Sequence, residues 1–181
     1  SAAERGNPDT RLDARHPDGR AWSEGNLVRP LVHGSTYFAE LVERIDAAGE
    51  GDLVLFTDWR GDADEQLLGE PGSEVSAVMR RAVDRGVNVH GLMWRSHSNI
   101  EEFSHEENRE LGEKVGEKGD NGNVLLDMRV PPRGSHHQKM VVIRYAGRPE
   151  EDVAYVGGID LCHSRRDDAR HLGDPQAQRS E

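Results

Sequence analysis

Residues 52 to 93 constrain the fold more than any other stretch. Asp52 to Trp59 (DLVLFTDW) is a short apolar run behind a glycine turn, the length of a buried strand. Val75, Val78, Met79, Ala82 and Val83 then recur at helical spacing behind Ser73, and Gly86 stops them. Val87 to Met93 (VNVHGLM) reads as the next strand. A strand, a helix and a strand joined this closely form a crossover unit. Such a unit lays its two strands parallel and turns right-handed, because only that hand packs the helix back onto a twisted sheet. The expected class is α/β, with a mixed, largely parallel sheet flanked by helices.

The other elements fit around this unit. Phe38, Leu41, Val42 and Ile45 form one helical stripe from Thr36, with Ser35 or Thr36 available as N-cap and Gly49 as stop. A weaker helix is expected around Glu106 to Val115 and a third strand at Val124 to Met128. Ser135 to Ile143 and Val153 to Gly158, separated by a charged turn (AGRPEED), suggest a hairpin-like pair. Residues 1 to 25 mix Asp, Arg, Gly and Pro without apolar periodicity and read as an N-terminal arm, so the domain proper covers 26–181. Beyond Leu161 the chain turns polar with no further element, which leads us to expect a continuation past Glu181. No internal repeat is visible.

Composition excludes several classes of function. Lys and Arg total 23 against 34 Asp and Glu, a net charge of -11, so nonspecific binding to nucleic acid or anionic lipid is disfavoured. Cys162 is the single cysteine, which rules out an intrachain disulfide and a cysteine-rich zinc site. No run approaches the ~20 apolar residues of a membrane span, and the first 25 residues lack a signal-peptide core. A soluble chain is expected, with a cytoplasmic setting favoured.

The densest chemical signal is Ser135-His136-His137-Gln138-Lys139-Met140-Val141-Val142-Ile143. On a strand His137 and Lys139 share a face, followed on it by Val141 and Ile143. Histidine titrates near neutrality and serves as nucleophile or proton carrier, while lysine is a cation suited to a phosphate oxygen. The pair is half of a site for attack on a phosphodiester. Downstream, Asp152-Val153-Ala154-Tyr155-Val156-Gly157-Gly158-Ile159-Asp160 offers a second strand ending in paired glycines, which let a ligand approach the backbone, and a carboxylate.

His137-Gln138-Lys139 followed by Gly157-Gly158-Ile159-Asp160 resembles the motif of the phospholipase D superfamily, and the flanking SHHQKMVVI and VAYVGGIDL look like those of bacterial members. The resemblance extends over most of the chain, as the first half of that fold. It implies that His137 is the attacking or protonating histidine, Lys139 the phosphate clamp and Asp160 the residue that orients the histidine. It implies a phospholipid as the expected substrate, and metal-independent chemistry with no cofactor. Two departures stand out. Arg144 occupies the place of the motif's aspartate, with Asp152 a candidate replacement, and six additional residues separate Lys139 from Gly157.

Chemistry also demands a second half. One histidine cannot both attack phosphorus and protonate the departing oxygen on the opposite side. A second histidine and lysine must come from a continuation of the chain or from an identical chain across a twofold axis. Arg60 and Arg95, with His97, each follow an apolar strand and are candidates for the rim of the same pocket, since ligands gather at the carboxyl ends of strands in open α/β sheets. His33 is a weaker candidate, read as structural. His163, Arg165, Arg166, Asp167, His171 and His136 lack the spacing of a metal motif, so no metal is expected. A catalytically silent module of the same fold and a nuclease of the same superfamily are the rival readings.

Overall fold

The computed structural model describes residues 18–20, 22–96, 105–117, 119–131, 133–174 and 176. His97 lies outside the described residues. The chain forms two compact units, residues 1–30 and 31–181. In the first, Asp18 pairs with Arg20, whose guanidinium lies 5.1 Å from the Trp22 ring centroid.

The second unit contains α1 (Gly34–Asp46), β1 (Leu53–Asp58), α2 (Val75–Asp84), β2 (Asn88–Trp94), α3 (His105–Gly116), β3 (Gly122–Asp127), β4 (Met140–Arg144) and β5 (Val153–Val156). The sheet order is β3-β2-β1-β4-β5. β1, β2 and β3 pair in parallel, β4 runs antiparallel to β1, and β5 runs antiparallel to β4. Four of the five strands therefore point the same way, as the crossover pattern predicts, and the expected hairpin is the β4–β5 pair.

Alternation along the strands decides which side chains enter the core. Val54 and Phe56 of β1, Val89 and Met93 of β2, and Val141 and Ile143 of β4 meet Phe38, Leu41, Ile45, Val78, Met79 and Ala82 from α1 and α2. Each such side chain contributes about 1.5–3 kcal/mol on leaving water. On the alternate positions Leu55, Leu125 and Val156 are exposed. Among the described residues no helix is long and apolar enough to cross a membrane.

Two expected boundaries differ. α1 starts at Gly34 instead of Thr36, and neither Ser35 nor Thr36 caps it with a side chain. The Ser35 amide donates instead to the Asp167 carbonyl at 2.9 Å, so a distant segment meets the helix start. The strand expected from Ser135 begins at Met140. Its register ends at Thr57 opposite Met140, so residues 135–139 have no run of β1 left to pair with.

Candidate functional site

The topology gathers polar groups at one edge of the sheet. β1 ends at Asp58, β2 at Trp94 and β3 at Asp127, and antiparallel β4 begins beside the end of β1. This is the carboxyl edge, where parallel α/β sheets bind ligands. Lys139, one residue before β4, is delivered to that edge, and β5 returns the chain there through Gly157 and Gly158 to Asp160. The Gly157 amide donates to the Lys139 carbonyl at 3.4 Å, which extends the hairpin by one link.

Lys139 and Asp160 are both buried, with Nζ 3.1 Å from Oδ1. The ammonium also donates to the His137 carbonyl at 3.3 Å and lies 5.7 Å from the Trp59 ring centroid. Asp58, equally buried, shares a hydrogen bond with Asp160 and accepts the Leu161 and Trp59 amides at 2.9 Å each. Burial, and then the neighbouring Asp160, push the Asp58 carboxyl well above the usual aspartate range. Burial also acts to raise Asp160, but the bond from Asp58 and the Lys139 ammonium outweigh it and hold Asp160 below the usual range. The shared proton therefore resides on Asp58 and the charge on Asp160, where the ammonium meets it.

His137 is exposed, and its ring centroid lies 5.5 Å from that of Trp59. The imidazole and the ammonium thus approach the same indole. Trp59 in turn stacks on Trp94, with centroids 5.8 Å apart and planes 13° from parallel. Buried Asn108 of α3 supports this wall. Its amide donates to the Trp59 carbonyl at 2.9 Å and the Trp94 carbonyl at 2.7 Å, and its oxygen accepts the Gly61 amide at 2.8 Å. A Cβ at Gly61 would stand 2.6 Å from the tip of the Leu111 side chain and 2.7 Å from that of Met93, so a larger residue here would require both tips to shift.

Several expected site residues take other places. Asp160 is bonded to Lys139 and not to His137, because the chain returns from β5 on the lysine's side of the cluster. Asp152 stands at the opposite end of the hairpin, about 16 Å away along β4 at the usual strand rise. There it accepts the Arg144 guanidinium at 3.0 Å and the Tyr145 amide at 2.8 Å. The motif's replaced aspartate position and its candidate substitute are therefore paired with each other, remote from His137. The Arg60 side chain pairs with Asp62 at 3.1 Å and Glu107 at 3.5 Å, and its amide donates to Asp160 at 3.3 Å. Arg95 is exposed and donates its amide to the Asp127 carbonyl. Gly157 and Gly158 are exposed, and a Cβ on either would meet open space.

Sequence reasoning passed over Asp58 and Asn108, and it weighed Arg165 only as part of a metal cluster, whereas its Nε lies 3.7 Å from Asp160. Asp58 carried a usable signal, a carboxylate at the last position of a buried strand. Asn108 carried none, sitting in a helix whose charges read as solvated surface.

The fold is α/β, with a five-stranded mixed sheet and three helices, and is consistent with a half-domain of the phospholipase D type. No family model matches the chain. Among curated proteins, phospholipase D alpha 1 of Cynara cardunculus is 29% identical over 125 residues, which is 56% of this chain and 16% of that protein. Phospholipase D alpha 1 of Arabidopsis thaliana is 25% identical over 176 residues, 78% of this chain and 22% of that protein. Phospholipase D1 of Mus musculus is 25% identical over 171 residues, 88% of this chain and 14% of that protein. These distant similarities support a place in the phospholipase D superfamily, and the chain spans less than a quarter of the length of these relatives.

Proposed function

We propose that this chain carries one half of a phosphodiesterase site of the phospholipase D type, working through a phosphohistidine. The observation that carries this reading is the buried Lys139 ammonium, held by Asp160 and sharing one indole wall with the exposed ring of His137. A desolvated cation beside an accessible imidazole is what attack on a phosphodiester needs.

In this scheme neutral His137 forms a bond from a ring nitrogen to phosphorus, and the bond from phosphorus to the departing alcohol breaks. That oxygen takes a proton from a second histidine on the far side. Lys139 and its counterpart offset the negative charge growing on the nonbridging oxygens. Water or another alcohol then attacks the phosphohistidine and frees His137. Asp160 and protonated Asp58 keep the ammonium in place, and the bare backbone at Gly157 and Gly158 leaves room for the diester. The second histidine and lysine come from a continuation of the chain or from an identical chain across a twofold axis. A phospholipid is the favoured substrate, given the names of the relatives.

The position of Arg144 favours catalysis over a silent module, since it lies at the other end of β4 and leaves the cluster untouched. The test uses the full-length protein with a phospholipid diester and a single-stranded oligonucleotide in parallel. His137→Ala should lower turnover of the lipid by at least about a thousandfold and abolish an acid-labile phosphoryl adduct. Turnover retained by the variant would overturn the assignment, and cleavage of the oligonucleotide alone would transfer it to the nuclease reading.

A further inference from the structure

Outside the Lys139 cluster, three side chains from two distant parts of the sequence converge beside the start of α1. His33, Asp167 and His171 each offer one ligand atom, and these atoms all lie within 4.8 Å of one another. His171 Nδ1 is already 2.6 Å from Asp167 Oδ2, and the His33 and His171 rings meet edge to face with centroids 5.1 Å apart. His33 and Asp167 are half-buried and His171 is exposed, so one side of the trio is open to water.

The backbone is arranged to bring them together. Gly34 lets the 165–167 segment lie against α1, since a Cβ there would run into the Arg165 carbonyl. The Ser35 amide bonds the Asp167 carbonyl and fixes that approach. His33 has φ 74° and ψ 148°, a conformation that essentially only glycine adopts without strain. His171 is also left-handed, at φ 52°. The fold thus holds an imidazole where glycine would be more comfortable, and points it at a carboxylate and a second imidazole. Of the other charged groups in the segment, Arg170 pairs with Asp168 at 2.8 Å, and Arg165 reaches toward Asp160.

We propose that His33, Asp167 and His171 bind a divalent cation of the zinc class, with water completing the coordination, and so tie the start of α1 to the 165–171 segment. Two imidazoles and one carboxylate are a borderline donor set that suits zinc and its neighbours better than calcium or magnesium. Zinc donors lie about 2.0–2.2 Å from the metal, and rotation of the exposed His171 side chain closes the remaining gap. Because the same segment carries Arg165 to Asp160, the cation steadies one border of the Lys139 cluster. This proposal does not rest on the phosphodiesterase reading.

Metal-free protein titrated with Zn2+ should bind one equivalent with micromolar affinity or better, and Co2+ should give a visible absorption band at the same stoichiometry. At a hundred times Kd, Tm should rise by about 5–10 °C. His171→Asn, in which Asn tolerates the left-handed backbone, should weaken binding at least about tenfold. His33→Gly should abolish it while leaving the metal-free protein folded and no less stable, because glycine fits that backbone. His105→Ala on α3 should bind as the wild type does. Absence of stoichiometric Zn2+ binding, binding that survives both His33→Gly and His171→Asn, or tighter binding of Ca2+ than of Zn2+ would each overturn the proposal.

Discussion

Two ion pairs of nearly equal length close the two ends of the β4–β5 hairpin. Lys139 and Asp160 meet at 3.1 Å with side chains 6% and 4% exposed, and Arg144 and Asp152 meet at 3.0 Å with side chains 62% and 27% exposed. Distance does not separate them, but surroundings do. At the outer end water screens both charges, and such pairs contribute little. At the inner end both charges have left water, and each depends on the other and on the amides and the protonated Asp58 around them. The buried pair is also the one beside an exposed histidine, so the end of the hairpin that is costly to assemble is the end with chemical potential.

Removing one partner should expose this contrast most strongly. Lys139→Met leaves Asp160 buried without its cation, and urea denaturation should register a loss of about 3–5 kcal/mol. A loss below about 1 kcal/mol would place this pair with the outer one. Asn108→Ala, behind the tryptophan wall, strands the Gly61 amide and two carbonyls, and the same measurement should show about 1–3 kcal/mol.

The pH dependence sharpens the comparison further. Asp160 has a depressed folded value, so its contribution is present above the ordinary aspartate value of 3.8 and is lost as pH falls through the folded value. Asp58 is raised, so its contribution is complete below 3.8 and declines as pH climbs toward its folded value. Asn cannot ionise, and the stability of Asp58→Asn relative to wild type should therefore improve steadily as pH rises above 3.8; a difference independent of pH would mean that Asp58 is not the proton holder. The smallest effect belongs to Arg144→Ala, which should leave the denaturation midpoint unchanged in low and high salt alike.

Local pattern made the fold legible. The stripe of Val75, Val78, Met79, Ala82 and Val83 and the runs on either side of it specified β1, α2 and β2, because a buried face must repeat at the period of its own element. The same alternation misled at Ser135, where it continues through His137 and Lys139 although β1 no longer runs alongside. Pattern records which side chains want to be buried, and pairing needs a neighbour. The site was legible in residue type and only partly in role. His137, Lys139 and Asp160 stood out by order, whereas Asp58, Asn108 and the convergence of His33 with Asp167 and His171 gave no sign in spacing.

The sequence by itself determined an α/β chain with a histidine, a lysine and a glycine-flanked aspartate in phospholipase D order, because periodicity and motif order are properties of neighbouring residues. Only the tertiary structure decided that Asp160 serves the lysine, that Asp58 holds the proton, and that Asp152 belongs to the far end of the hairpin. Those outcomes depend on which charges lose water together, and desolvation is set by segments that meet in space, as Asp58 meets the 160–161 segment across about a hundred residues of chain.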